Sequence, residues 1–173
     1  MNVLELFKNI STFVFDVDGV LTDGSVLVLE NGLQARKMNI KDGLGLQMAL
    51  KNGFRVLIIS GGNSKPVEER LNKLGVKEVF MSVGDKKSFV EKYLQEHDLS
   101  WDNLLFMADD LPDLETLKAV KVACCPADAV MEVKETAHYI SPFNGGYGCV
   151  RDIIEKVLKV QDKWIFDKTV TSR

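Results

Sequence analysis

TFVFDVDGVLTDG, residues 12–24, decides how the chain is read. Residues 12–17 have the apolar density of a buried strand. Asp16 and Asp18 stand at its end, with Gly19 directly after them. Two like charges at close range repel, and burying either is expensive. The pair therefore needs a cation, a neighbouring base or a shift in protonation. In parallel α/β sheets ligands bind beyond the carboxyl ends of strands, and these two aspartates occupy such an end.

Working outward, apolar runs alternate with amphipathic segments. DGLGLQMALKNG (42–53) reads as a helix stopped by Gly53, and FRVLIIS (54–60) as a strand apolar on both faces. SKPVEERLNKLG (64–75) carries Ser64 as a cap, Pro66 in the first turn and Gly75 past the end. A strand at 78–82, a helix from Lys86 to His97, a strand at 103–108 and a short helix from Pro112 follow. KVACC and HYIS supply two further strands around a helical segment near Val130, and Val150, Ile153, Ile154, Val157 and Leu158 stripe a final helix. The alternation predicts an α/β fold with a doubly wound, mostly parallel, Rossmann-like sheet covered on both sides. No repeat or linker interrupts it, so residues 1–173 are read as a single domain.

One segment departs from the pattern. In residues 25–39, Asn31-Gly32 joins two extended stretches, a strong hairpin signal. Val26 to Leu29 are all apolar, so a protruding hairpin needs cover on both faces. Either it folds down on its own domain or hairpins from several subunits pack together; the second is favoured, because exposed apolar strands tend to be interfaces.

Composition sets the class. The chain has 173 residues, 46% hydrophobic and 27% charged, with a net charge of −3. That balance gives no electrostatic grip on nucleic acid or anionic lipid. No signal-peptide pattern and no apolar run long enough for a bilayer is seen, which leads to the expectation of a cytoplasmic protein. Cys124, Cys125 and Cys149 form an odd set without metal-type spacing, and neighbouring strand residues point to opposite faces; all three are expected to be reduced core residues.

Three other strand ends are polar. They carry Ser60-Gly61-Gly62, then Asp85-Lys86-Lys87 at a helix start, then Asp109 and Asp110 with Asp113 close behind. Brought together, they assemble what phosphoryl transfer requires. Oxygen-only carboxylate sites suit Mg²⁺, which would offset repulsion between Asp16 and the Asp109 region. A carboxylate held in place attacks phosphorus in line. A hydroxyl, amides and a lysine neutralise the equatorial oxygens. A second carboxylate past a bend protonates the leaving oxygen and later deprotonates water.

DVDGVLTDG, LIISGG, Lys86 and MADDLPD, in that order, resemble the four motifs of the haloacid dehalogenase superfamily. ENGLQARKMNIKDGLGL and FNGGYGCVRDII extend the likeness to nearly the whole chain. They resemble the branch that dephosphorylates an eight-carbon 3-deoxy sugar acid in lipopolysaccharide precursor synthesis. The resemblance implies Asp16 as nucleophile, Asp18 as general acid/base and carbonyl ligand of Mg²⁺, and Asp109 as a further metal ligand. It implies Ser60, the Gly61 amide and Lys86 as holders of the phosphoryl group, with Asp110 and Asp113 as orienting groups behind them. It also implies substrate contacts from Asn39, Asp42, Gly43 and Arg70. Many relatives carry Arg where Gly62 stands, and Ala108 replaces the usual Gly before the acidic pair. Neither interval between the first three motifs has room for a cap domain, so a neighbouring subunit is expected to exclude water. The resemblance implies a homotetramer built by the hairpin, with the GGYG segment or the C-terminal tail reaching an adjacent site.

Other residues have plainer readings. His97 is expected to meet a helix C-terminus, and His138 to bond locally. Met38, Met48, Met81, Met107 and Met131 are expected to fill core gaps. Lys87 is expected to be solvated. Arg70 and Lys73 stand between a solvated face and a specificity role. Trp164 and Phe166 either dock on their own domain or contact a neighbour. Two other functions compete with the eight-carbon ester: a phosphatase for a nine-carbon sialic-acid-type 9-phosphate, and a phosphorylation-switched receiver or binding module.

Overall fold

The computed structural model of the chain describes residues 2–165 and 169–170. A short helix α1 (Val3–Phe7) precedes strand β1 (Thr12–Phe15). A small hairpin of β2 (Leu27–Val28) and β3 (Gln34–Ala35) leads into helix α2 (Ile40–Lys51). Strand and helix then alternate: β4 (Arg55–Ile59), α3 (Lys65–Lys73), β5 (Glu78–Phe80), α4 (Lys86–Glu96), β6 (Leu104–Met107), α5 (Leu114–Ala119), β7 (Val122–Cys125), α6 (Met131–Thr136), β8 (Tyr139–Ile140) and α7 (Cys149–Val160).

The main sheet has six strands in the order β5-β4-β1-β6-β7-β8, and every pair is parallel. The chain winds to one side of β1 through β4 and β5, then crosses to β6 and winds the other way. β1 is therefore the point where the winding reverses, and the ends of β4 and β6 diverge around its tip.

Alternation along each strand divides the core. Phe13 and Phe15 of β1 join Val56, Ile58, Leu105 and Met107 beneath α1, α2, α3 and α7. Val14 joins Leu57, Ile59 and Phe106 beneath α4, α5 and α6. Cys124 faces the first layer and Cys125 the second, and the three cysteines are buried and unpaired. Each of these large side chains contributes about 1.5–3 kcal/mol by leaving water. Trp164 packs against the first layer with the Arg151 guanidinium 4.6 Å from its ring centroid, so it docks on its own domain. Phe166 lies outside the described residues.

The expected elements form, with shifts of a residue or two at their ends. α2 begins earlier than its apolar pattern, because the Asn39 side chain accepts from the Lys41 N–H at 2.8 Å and caps it. His97 takes the C-cap of α4, with Nδ1 2.9 Å from the Tyr93 carbonyl, and His138 Nδ1 accepts from the Ala123 N–H at 3.0 Å. Met131 departs from expectation. It is 66% exposed, because it is the first residue of the two-turn surface helix α6, whose inward residue is Val133.

The hairpin stands apart as its own antiparallel sheet, turned at Asn31-Gly32, with Gly32 at φ +77°. Leu27, Val28 and Leu33 are each more than 60% exposed. The hairpin does not fold down on the domain, and its base is tied to the body by a bridge between Thr22 and Met38.

Candidate active site

β1 pairs with both neighbours, Phe15 level with Ile58 on one side and Met107 on the other. One step further the chain delivers Asp16, whose N–H donates to the Met107 carbonyl at 3.1 Å. The register thus sets Ser60 and Asp109 on either side of the β1 tip, at the winding reversal.

After Asp16 the backbone makes a single wide turn over Val17–Leu21, closed by the Thr22 N–H donating to the Val17 carbonyl at 3.0 Å. Inside it Asp18 is extended and Gly19 has φ +82°. Buried Thr22 holds the turn, its Oγ1 accepting from the N–H groups of Gly19 (3.2 Å) and Gly24 (3.3 Å). Gly19 is required twice over. Its φ suits glycine, and a Cβ there would lie 1.9 Å from Asp109 Oδ2. The Asp109 carboxylate therefore packs directly on the turn.

A cleft of about 300 Å³ opens here, lined by Asp16, Asp18, Gly19, Ser60, Gly61, Gly62, Lys86, Asp109, Asp110 and Asp113, with Gly24 and Pro112. Lys86, in the first turn of α4, is buried and lies 2.7 Å from Asp16 Oδ1 and 2.8 Å from Asp113 Oδ2. Among the described residues the buried Oδ1 of Asp113 has no hydrogen-bond partner. Ser60 Oγ accepts from the Gly62 N–H at 3.1 Å. Asp110 caps the turn that starts α5, accepting from the Leu111 N–H at 2.8 Å. Lys87 is exposed.

The electrostatics of the cleft call for a cation. Burial pushes Asp16 up to about 6, with Lys86 partly offsetting it. Burial, then repulsion from Asp16 and Asp110, pushes Asp109 up to about 7. Burial also raises Asp113, against the pull of Lys86. Burial works against the Lys86 charge, but Asp16 and Asp113 outweigh it and raise its pKa. One buried lysine therefore serves two carboxylates and leaves Asp109 unmatched. Among the described residues no three His, Cys, Asp or Glu side chains are gathered as a metal cage. The Asp16 and Asp109 carboxylates line the same cleft, and oxygen donors of this kind suit a hard cation that keeps several waters.

Comparisons with known proteins place the chain in a family. No protein-family model matched the chain. The chain is 31% identical over 162 residues to the 3-deoxy-D-manno-octulosonate 8-phosphate phosphatase KdsC of Escherichia coli K12, covering 94% of this chain and 86% of that one. It superposes with a TM-score of 0.91 on the crystal structure of the Moraxella catarrhalis 3-deoxy-D-manno-octulosonate 8-phosphate phosphatase in complex with magnesium, phosphate and KDO, at 28% identity, covering 94% of this chain and 93% of that one. A Legionella pneumophila protein assigned to the HAD superfamily (subfamily III A) of hydrolases aligns with a TM-score of 0.90 and 31% identity, over 92% of this chain and 88% of that one. The chain belongs to the 3-deoxy-D-manno-octulosonate 8-phosphate phosphatase family, within the haloacid dehalogenase superfamily.

In this phosphatase-family chain, four residues read as substrate contacts do not line the cleft. Asn39 is the cap of α2, and its amide donates to the Gly146 carbonyl at 3.3 Å. Buried Asp42 accepts from the Arg151 N–H at 2.7 Å and the Gly148 N–H at 3.3 Å. It caps α7 from another helix, because Gly148 at the N-cap has no side chain to do so. Gly43 lets α2 approach α3: a Cβ there would meet Leu74 at 3.2 Å. Arg70 lines a separate groove between the hairpin and α3. Lys73 borders a small hollow on α3 beside Arg70.

The glycine-rich segment also turns inward. A Cβ on Gly145 would lie 1.9 Å from the Gly19 carbonyl oxygen, and the Gly146 N–H donates to the Val20 carbonyl at 2.9 Å. These glycines permit backbone contact behind the Asp16–Thr22 turn. Sequence reading passed over Arg36, whose Nε lies 2.6 Å from Asp18 Oδ1. Its one available signal was the basic pair it forms with Lys37 at the hairpin base.

Proposed function

We propose that this chain hydrolyses 3-deoxy-D-manno-octulosonate 8-phosphate to the free sugar acid and phosphate, within lipopolysaccharide precursor synthesis. The observation that carries the reading is the convergence of Asp16, Lys86, Ser60 and Asp109 on one cleft at the winding reversal. Two named relatives, one of them solved with magnesium, phosphate and KDO, support the substrate and the metal.

Asp16 attacks phosphorus and forms an aspartyl-phosphate. Lys86 fixes the Asp16 carboxylate and, with Ser60 and the Gly61 N–H, carries the charge of the phosphoryl oxygens. Asp18 gives its proton to the leaving sugar oxygen, then takes one from the water that cleaves the intermediate. Mg²⁺ would be held by Asp16, Asp109 and the Asp18 carbonyl, and it supplies charge neutralisation at the phosphate. Asp113 and Asp110 orient Lys86 and the loop that carries Asp109. Arg70, in the groove of about 1000 Å³ between the hairpin and α3, contributes to sugar recognition.

The hairpin makes a homotetramer, and its exposed Leu27, Val28 and Leu33 support that assembly. Three unpaired cysteines support a reducing, cytoplasmic compartment. Among the described residues no helix is long and apolar enough to cross a membrane.

The test is phosphate release from a panel of sugar phosphates, with and without Mg²⁺. The eight-carbon acid ester is expected to give the highest kcat/KM, and Asp16→Asn to fold yet give no turnover. Preference for the nine-carbon 9-phosphate would replace the substrate. Phosphorylation without steady release would indicate a receiver-type switch.

A further inference from the structure

Arg36, one residue past β3, is the hairpin's link to the cleft. Its side chain is 9% exposed, whereas that of Asp18 is 39% exposed, so a long flexible residue is held while its carboxylate partner stays open to the cleft. Among the described residues the Asp18 carboxylate accepts one hydrogen bond, from Arg36 Nε at 2.6 Å. Gly62 leaves room for the pair: a Cβ there would lie 3.2 Å from Asp18 Oδ2 and 3.7 Å from Arg36 Nη2.

The residues around Arg36 are anchored in turn. Lys37 Nζ reaches the Tyr147 hydroxyl at 3.1 Å and Asp23 Oδ2 at 3.5 Å, and Met38 bridges to Thr22. An aspartate on an otherwise open turn samples several rotamers, and a charge-assisted bond from a fixed guanidinium selects one. We propose that Arg36 is a positioning residue for proton transfer, holding Asp18 in the rotamer that delivers its proton to the leaving oxygen, and so ties that step to the hairpin.

This rests on the phosphatase reading above. In its first step the Asp16 Oδ–P bond forms, the ester P–O bond breaks, and the Asp18 proton goes to the departing alkoxide. A poor leaving group needs that proton, and p-nitrophenolate does not. kcat/KM covers the steps from free enzyme and ester through leaving-group departure, the first irreversible event, and excludes the later hydrolysis of the intermediate.

The experiment compares wild type, Arg36→Ala, Arg36→Gln and Arg36→Lys on three esters: the acidic sugar phosphate, a neutral hexose 6-phosphate and p-nitrophenyl phosphate. Arg36→Ala and Arg36→Gln are expected to lose about 10–100-fold in kcat/KM on both sugar esters and less than about threefold on p-nitrophenyl phosphate. Arg36→Lys recovers part of the loss, and Arg36→Gln adds nothing in an Asp18→Asn background. Equal losses on all three esters in the variants that keep the wild-type melting temperature would overturn the proposal. So would a loss confined to the acidic ester, which would make Arg36 a reader of the substrate carboxylate. Wild type inactive on every ester would instead sink the phosphatase reading itself.

Discussion

At the scale of single residues, the cleft is a charge imbalance held in place by packing. Asp16 and Asp109 are raised to about 6 and about 7, chiefly because burial disfavours their charged forms. The metal-free native protein thus binds more protons than the unfolded chain between about pH 4 and about pH 7. Stability from these groups is full below the unfolded value and is lost as pH rises through the folded values. A divalent ion reverses the balance, because it binds the ionised carboxylates. Mg²⁺ binding at about pH 6.5 is therefore expected to release protons, with affinity weakening as pH falls through about 7 to about 6. Calorimetric titration in buffers of different ionisation enthalpy measures this. A proton-neutral binding isotherm there would contradict the shifts.

Between elements, glycines and one buried aspartate lock the Asp16–Thr22 turn to its supports. Gly145 and Gly146 let the segment before α7 touch the Asp16–Thr22 turn, and Asp42 of α2 caps α7. Asp42→Ala would leave interior N–H groups of α7 without acceptors, and a loss of about 1–3 kcal/mol is expected from thermal or denaturant melts. Asp42 itself is raised to about 6, by burial against its backbone donors. Its contribution is fully present below about pH 4 and declines as pH rises to about 6. The stability difference between wild type and Asp42→Asn should therefore change across that window and flatten above it. A pH-independent difference would show that folding leaves the Asp42 pKa where it is in the unfolded chain.

For the whole molecule, the unanswered surface is the hairpin. Leu27, Val28 and Leu33 are 64%, 67% and 63% exposed on a two-stranded sheet that the described residues leave uncovered. Two-stranded ribbons are marginal alone in water, so packing against other copies would both hide this surface and stiffen the arm that carries Arg36. The double substitution Val28→Asp, Leu33→Asp is expected to convert a tetramer to monomers in sedimentation, with turnover falling as the assembly is lost. A wild-type chain that sediments as a fully active monomer would remove the assembly from the account.

Element types, the parallel alternation and the cleft's main carboxylates were legible in the linear chain; the strand order β5-β4-β1-β6-β7-β8 was not. Continuous apolar runs and stripes with period 3.6 are local properties, and the four polar strand ends follow from them. What remained hidden was contact across sequence. Asp42 looked like a ligand-facing residue until α7 was placed on α2, and Arg36 had no visible partner until the hairpin base met the Asp16–Thr22 turn. The glycines at 145 and 146 spelled flexibility in one dimension and close backbone packing in three. The sequence by itself determined which groups are polar, apolar or free of a Cβ, because those are properties of each residue. Only the tertiary structure decided which carboxylate receives which cation, because that depends on distances of a few ångströms between segments that the covalent chain keeps far apart.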